Sequence, residues 1–105
     1  MLNGLLPIGS VVLLNGGEKR VMIIGFCQAQ EQAPEILWDY VGCLYPEGFL
    51  DAEKNLMFNN EQIDKVFAVG YQDEEQFSFK VKLDSIYEQL RTKHPIQPSQ
   101  GSQTE

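Results

Sequence analysis

The chain has 105 residues, of which 43% are hydrophobic and 10% aromatic, enough for one domain with its own core and too apolar for wholesale disorder. Fifteen acidic residues against eight lysines and arginines leave a formal charge of −7, which argues against a binder of phosphate backbones or of anionic membrane surfaces. No apolar run approaches the ~20 residues of a membrane-spanning helix.

Residues 1–9 read as a lead-in, with Pro7 and Gly9 flanking Ile8 and suiting an extended segment followed by a turn. Gly4, Pro7 and Gly9 interrupt its apolar stretch, no Lys or Arg precedes it and no small-residue cleavage site follows, so a secretory signal is not expected. Ser10–Leu14 (SVVLL) is a β-branched run and predicts a strand. Asn15-Gly16-Gly17 predicts a tight turn, since both glycines accept positive φ cheaply. Arg20–Ala29 predicts the second strand of a hairpin, with Gly25 marking a bulge or bend. Gln30–Glu35 is polar, contains Pro34 and reads as a loop. Ile36–Tyr45 (ILWDYVGCLY) alternates with two largely apolar faces and predicts a central strand. Pro46-Glu47-Gly48 supplies a turn.

Phe49–Phe58 reads as loop ending in a short strand at 56–58, and Asn59–Asp64 as one helical turn behind an Asn cap. Lys65–Tyr71 predicts a further strand. Asp73 followed by Gln76 resembles a helix start. Beyond it, Phe77, Phe79, Val81 and Leu83 alternate like a strand, whereas Phe79, Leu83, Ile86, Tyr87 and Leu90 recur like a helix face. The cap and the helical spacing predict a helix over 73–92, with Phe77 and Val81 widening its buried stripe. Residues 93–105, rich in Pro, Gln and Ser, predict a disordered tail outside a single globular domain of residues 1–92. The fold class expected is α+β: a small curled antiparallel sheet or SH3-like barrel of four to five strands with one C-terminal helix.

Chemistry is sparse. Cys27 and Cys43 are the only cysteines and His94 the only histidine, which cannot complete a four-ligand zinc site. Two buried thiols in a reducing cytosol is the expectation; a disulfide across adjacent strands is the alternative. His94 falls in the expected tail, where nothing would orient it as a base. Ser10 lacks the flanking glycines of a nucleophile elbow. Asp73-Glu74-Glu75 lacks the alternating ligands of a calcium loop, and Gly16-Gly17 is too short to cradle phosphate. No catalytic residue, metal or cofactor is therefore expected. What stands out is aromatic density: Trp38, Tyr40, Tyr45 and Phe49 surround the turn at Pro46. They are either core aromatics beside an ordinary turn or a protein-binding patch, to which the acidic charge would steer a basic or mixed partner.

Three segments are familiar as a set. Leu6-Pro7-Ile8-Gly9-Ser10-Val11-Val12-Leu13 with Gly16-Gly17, then Val21-Met22-Ile23-Ile24-Gly25, then Asp39-Tyr40-Val41-Gly42 running into Tyr45-Pro46-Glu47-Gly48 resemble, in that order, a small uncharacterised domain family of Gram-positive bacteria. Phe58-Asn59, Ile63-Asp64-Lys65-Val66 and Gly70-Tyr71 resemble the family's second half, so the likeness spans residues 5–91. Trp38, Cys27 and Cys43 are not marks of the pattern. Members are encoded beside type VII secretion genes and LXG-type polymorphic toxins. The resemblance implies a non-enzymatic cytoplasmic accessory, a chaperone or targeting adaptor that binds an LXG-type toxin or its complex before export. An immunity protein neutralising a toxin domain is the alternative, and a small enzyme a remote one. The partner implied is a protein, with no nucleic acid and no membrane insertion.

Overall fold

The structure, a computed structural model, describes residues 4–96. Five strands precede one helix: β1 (Val11–Leu14), β2 (Val21–Gln30), β3 (Ala33–Leu44), β4 (Leu56–Phe58), β5 (Ile63–Ala68) and α1 (Glu74–Lys93). The strands form a single antiparallel sheet in the order β4-β3-β2-β1-β5. The fold is thus α+β, as the patterning predicts. Of the two architectures expected, the open curled sheet is adopted: β4 and β5 lie at opposite edges and do not pair.

Local chemistry accounts for most boundaries. The β1–β2 turn closes with Gly17 N–H donating to Leu14 O at 2.9 Å. Only Gly16 takes positive φ, at 76°, so one glycine and not both carries the left-handed position. The β2–β3 register slips between Ile23 and Gly25, the bulge that Gly25 signals. Cys27 takes a φ of 53°, and the register slips a second time between Gln28 and Gln30. The expected loop over 30–35 is shorter than its composition suggests. Gln30 pairs with Ala33, and Ala33, Pro34 and Glu35 already belong to β3. β4 covers β3 only at Tyr40–Gly42, so one side of β3 at Pro34 is a free edge, where proline is tolerated.

Asn60–Gln62 forms a single 3-10 turn, which Gln62 closes by accepting from Asn59 N at 2.8 Å. That turn is shorter than the helical turn expected over 59–64, so β5 starts two residues earlier than predicted. β5 also stops earlier. Gly70 N–H donates to the buried Ser10 hydroxyl at 3.0 Å, and Gly70 presses so closely on the Ile8 carbonyl that a Cβ would collide with it.

The inner face of the sheet supplies Val12, Leu14, Val21, Ile23, Tyr40 and Phe58, joined by Leu5 from the lead-in and Leu83 from α1. Each fully buried aliphatic or aromatic side chain stabilises by about 1.5–3 kcal/mol. The Asp73 carboxylate caps α1 by accepting from Gln76 N at 2.9 Å. The helix runs to Lys93, one residue past the expected end, with His94 N–H donating to Leu90 O at 2.7 Å. His94 is half-buried and its Nδ1 lies 3.3 Å from Glu35 O, so it is the tethered end of the helix and not a loose tail residue. The disordered tail expected from 93 onward otherwise falls on residues 97–105, outside the described residues.

The buried stripe of α1 is narrower than predicted. Phe77 and Val81 are exposed, as are Phe79 and Ile86. Phe77 and Val81 sit about 120° and 160° around the helix from Leu83, which turns them away from the sheet. No helix among the described residues is long and apolar enough to cross a membrane.

Candidate functional site

The aromatic set divides. Trp38 and Tyr40 face inward from β3 and are buried, Tyr40 completely. The Tyr40 hydroxyl accepts from Leu6 N at 2.8 Å and donates to Asn60 Oδ1 at 2.6 Å, and burial pushes its ionisation well above the ordinary tyrosine range. Both rings are therefore out of reach of a docking partner. Tyr45 is half-buried, Pro46 is exposed and Phe49 is 62% exposed. The Tyr45–Pro46 peptide is cis, and Gly48 takes φ of 83°.

Contacts fix this turn to the β1–β2 turn. Tyr45 N–H donates to Arg20 O at 3.0 Å. Lys19 Nζ lies 2.7 Å from Glu47 Oε1, and its hydrogen bond holds the Glu47 carboxyl below the usual carboxylate range. The Arg20 guanidinium stacks 5.1 Å from the Tyr45 ring centroid and 5.7 Å from that of Phe67. An exposed row thus runs from the turn through Arg20 to Val66 and Phe67 of β5 and on to Val69 and Tyr71 just beyond it, all exposed. The row combines apolar area with guanidinium–ring contacts, the composition of protein-binding surfaces.

The β5 half of this row escapes sequence reasoning because Lys65–Tyr71 (KVFAVGY) reads as a strand apolar on both faces, which suggests an interior position. Its place at the sheet edge is set by topology alone. Arg20 carries no signal either, since a charged residue after a turn is ordinarily solvated.

A second feature joins α1 to β3. Arg91 Nη2 contacts Asp39 Oδ1 at 2.9 Å and Asn59 Oδ1 at 2.8 Å. Asp39 Oδ2 accepts from Asn60 N at 2.8 Å, and Asp39 N–H donates to Asn59 Oδ1 at 2.9 Å. This hub is built for attachment: most of its polar atoms are consumed in joining α1, β3 and the 3-10 turn. Cys27 and Tyr87 border it, and burial raises the ionisation of both. Both cysteines are free. Cys27 stands level with Asp39, four residues along β3 from Cys43, about 13 Å away at strand rise, too far for a disulfide. No cluster of three or more metal-ligating residues occurs among the described residues. An apolar cleft of about 60 Å³ between the lead-in and α1, lined in part by Ile8, Phe26, Tyr71 and Phe79, is far below the size of small-molecule sites.

Compared with known families, residues 5–79 match the model of a domain of unknown function, DUF4176. No curated protein and no solved structure matches the chain.

Proposed function

The chain belongs to the DUF4176 family, and we propose that it is a non-enzymatic, cytoplasmic, protein-binding accessory of type VII secretion that holds an LXG-type toxin or its targeting complex before export. The observation that carries the protein-binding part is the exposed row from Phe49 and Tyr45 through Arg20 to Phe67 and Tyr71. Large rings held at the surface of a small domain are costly in water and are repaired by a partner. The secretion context rests on the sequence pattern and its resemblance to proteins encoded with such toxins.

The role as adaptor is favoured over immunity protein by that same context. The two separate by which part of the toxin is bound. Co-expression with the N-terminal helical region of an LXG-type toxin, and separately with its C-terminal domain, tests this directly. A stable complex with the N-terminal region supports the adaptor; a complex with the C-terminal domain alone makes the chain an inhibitor; binding to neither overturns both.

A further inference from the structure

We infer that the outer edge of β5 (Ile63–Ala68), with the exposed chain that continues it to Tyr71, is a docking edge that takes an extended, basic segment of a partner protein as a sixth strand. The inference deepens the protein-binding reading above by naming the mode and chemistry of the partner. β5 pairs on one side with β1 and, among the described residues, has no strand on its other side. A free edge presents a row of backbone donors and acceptors that only another extended backbone satisfies efficiently. The other edge, β4, offers three residues, too few for a comparable ladder.

The side chains along this edge point the same way. Val66, Phe67, Val69 and Tyr71 are exposed, Tyr71 by 80%. They lie on both faces of the edge, as alternate positions of an added strand would require. Charge then selects the occupant. Between Asn60 and Glu75 the chain carries Glu61, Asp64, Asp73, Glu74 and Glu75 against Lys65 alone. Two other cations come close and both are already engaged: Arg20 is stacked between the Tyr45 and Phe67 rings, and Lys80, which shares a cleft with Tyr71, is paired with Asp84 at 2.8 Å. A strand alternating apolar residues with Lys or Arg would lay its apolar side chains on Phe67 and Val69 and its cations among these carboxylates. A second copy fits poorly. Two-fold antiparallel pairing centred on Phe67 sets Glu61 of one copy level with Asp73 of the other, twice, and joins two chains of −7 each.

The test is an amide NMR titration of the full chain with a capped six-residue peptide alternating lysine and valine, and with its glutamate–valine counterpart. The expected result is shifts concentrated on residues 63–71 with the basic peptide and none with the acidic one. Glu75→Lys, at an exposed site, and Val69→Lys should together weaken binding by about tenfold while leaving the spectrum of β2 and β3 unchanged. If Val69→Lys disturbs the fold, Glu75→Lys alone still carries the charge test. Absence of shifts at about 1 mM peptide, equal response to the acidic peptide, or shifts centred on Phe77 and Val81 of α1 would overturn the docking edge. So would a dimer in light scattering that Val69→Lys dissolves, since the occupant would then be a second copy. The two readings fail separately: peptide docking without toxin binding leaves the edge and removes the secretion role, and toxin binding without β5 shifts does the reverse.

Discussion

Arg91 and Asp39, fifty-two residues apart in the chain, meet at 2.9 Å with side chains 12% and 1% exposed. The pair fastens the last turn of α1 to the middle of β3. Leu83 is the one buried residue of the helix, so this attachment adds to the docking that Leu83, Tyr87 and the Phe79–Phe26 contact supply. Removing either partner strands the other in a nearly dry site. Asp39→Asn or Arg91→Ala should each destabilise by about 2–4 kcal/mol, a large part of the 5–15 kcal/mol typical of a domain. The double variant should cost less than the sum, with a coupling of about 1–3 kcal/mol. Urea melts of the four proteins measure this; strict additivity would show the pair to be incidental.

Tyr40 ties the lead-in to the 3-10 turn through its hydroxyl. Tyr40→Phe leaves Leu6 N without its partner and should cost about 1–3 kcal/mol at pH 7. The pH dependence has a definite sign. Burial raises the folded-state pKa values of Tyr40, Tyr87 and Cys27 above their ordinary values of 10.0, 10.0 and 9.0. The unfolded chain therefore loses these protons first. Stability contributed by the three groups is full below about pH 9 and declines as pH rises further. Urea melts at pH 7 and pH 10.5 should show that decline, and Tyr40→Phe should make it shallower although the variant starts lower. An unchanged alkaline slope would place the titration elsewhere.

The β1–β2 turn separates two adjacent glycines. Gly16 takes φ of 76°, with open space around a would-be Cβ, whereas Gly17 does not take positive φ and its Cβ would lie 3.3 Å from Leu14 O. Gly16→Val should therefore destabilise by about 1–2 kcal/mol through backbone strain alone. Gly17→Ala should cost well under that, because the carbonyl need move only slightly. Thermal melts of the two variants check the order; equal losses would mean that crowding, not φ, governs the turn.

How far the sequence reveals the molecule depends on the range of the interaction involved. Capping at Asp73, the Gly16 turn, the Gly25 bulge and the β-branched strands are local, and each is visible in a window of a few residues. Helix wins over strand at 77–83 because the Asp73 cap and the spacing of Leu83 and Tyr87 act in concert. The burial of Asp39 is not legible, because it depends on an arginine fifty-two residues away. Neither is the exposure of Phe67 and Tyr71, which follows from β5 ending up beside β1 and not inside the sheet. For the aromatic set, composition identifies the region, but only the structure separates Trp38 and Tyr40, buried within β3, from Phe49, exposed beyond its end.

That separation yields the last prediction. Phe49 is 62% exposed, so truncating it removes little packing; Tyr45 is half-buried and stacks on Arg20. Phe49→Ala should shift stability by no more than about 0.5 kcal/mol, and Tyr45→Ala by somewhat more as the guanidinium contact is lost. Trp38→Ala, at 6% exposure, empties a core site and should cost about 3–5 kcal/mol. Against a bound toxin region the order should reverse. Phe49→Ala and Tyr45→Ala should each weaken the complex by about thirtyfold, the ~2 kcal/mol of a buried aromatic anchor. Trp38→Ala should act only through the folded fraction, so its affinity loss should vanish when corrected for unfolded protein. Calorimetric binding and thermal melts on the same three variants distinguish the cases. Unchanged affinity for both Phe49→Ala and Tyr45→Ala, with melts intact, would remove the turn from the interface and leave β5 and the exposed face of α1 as the surfaces to test.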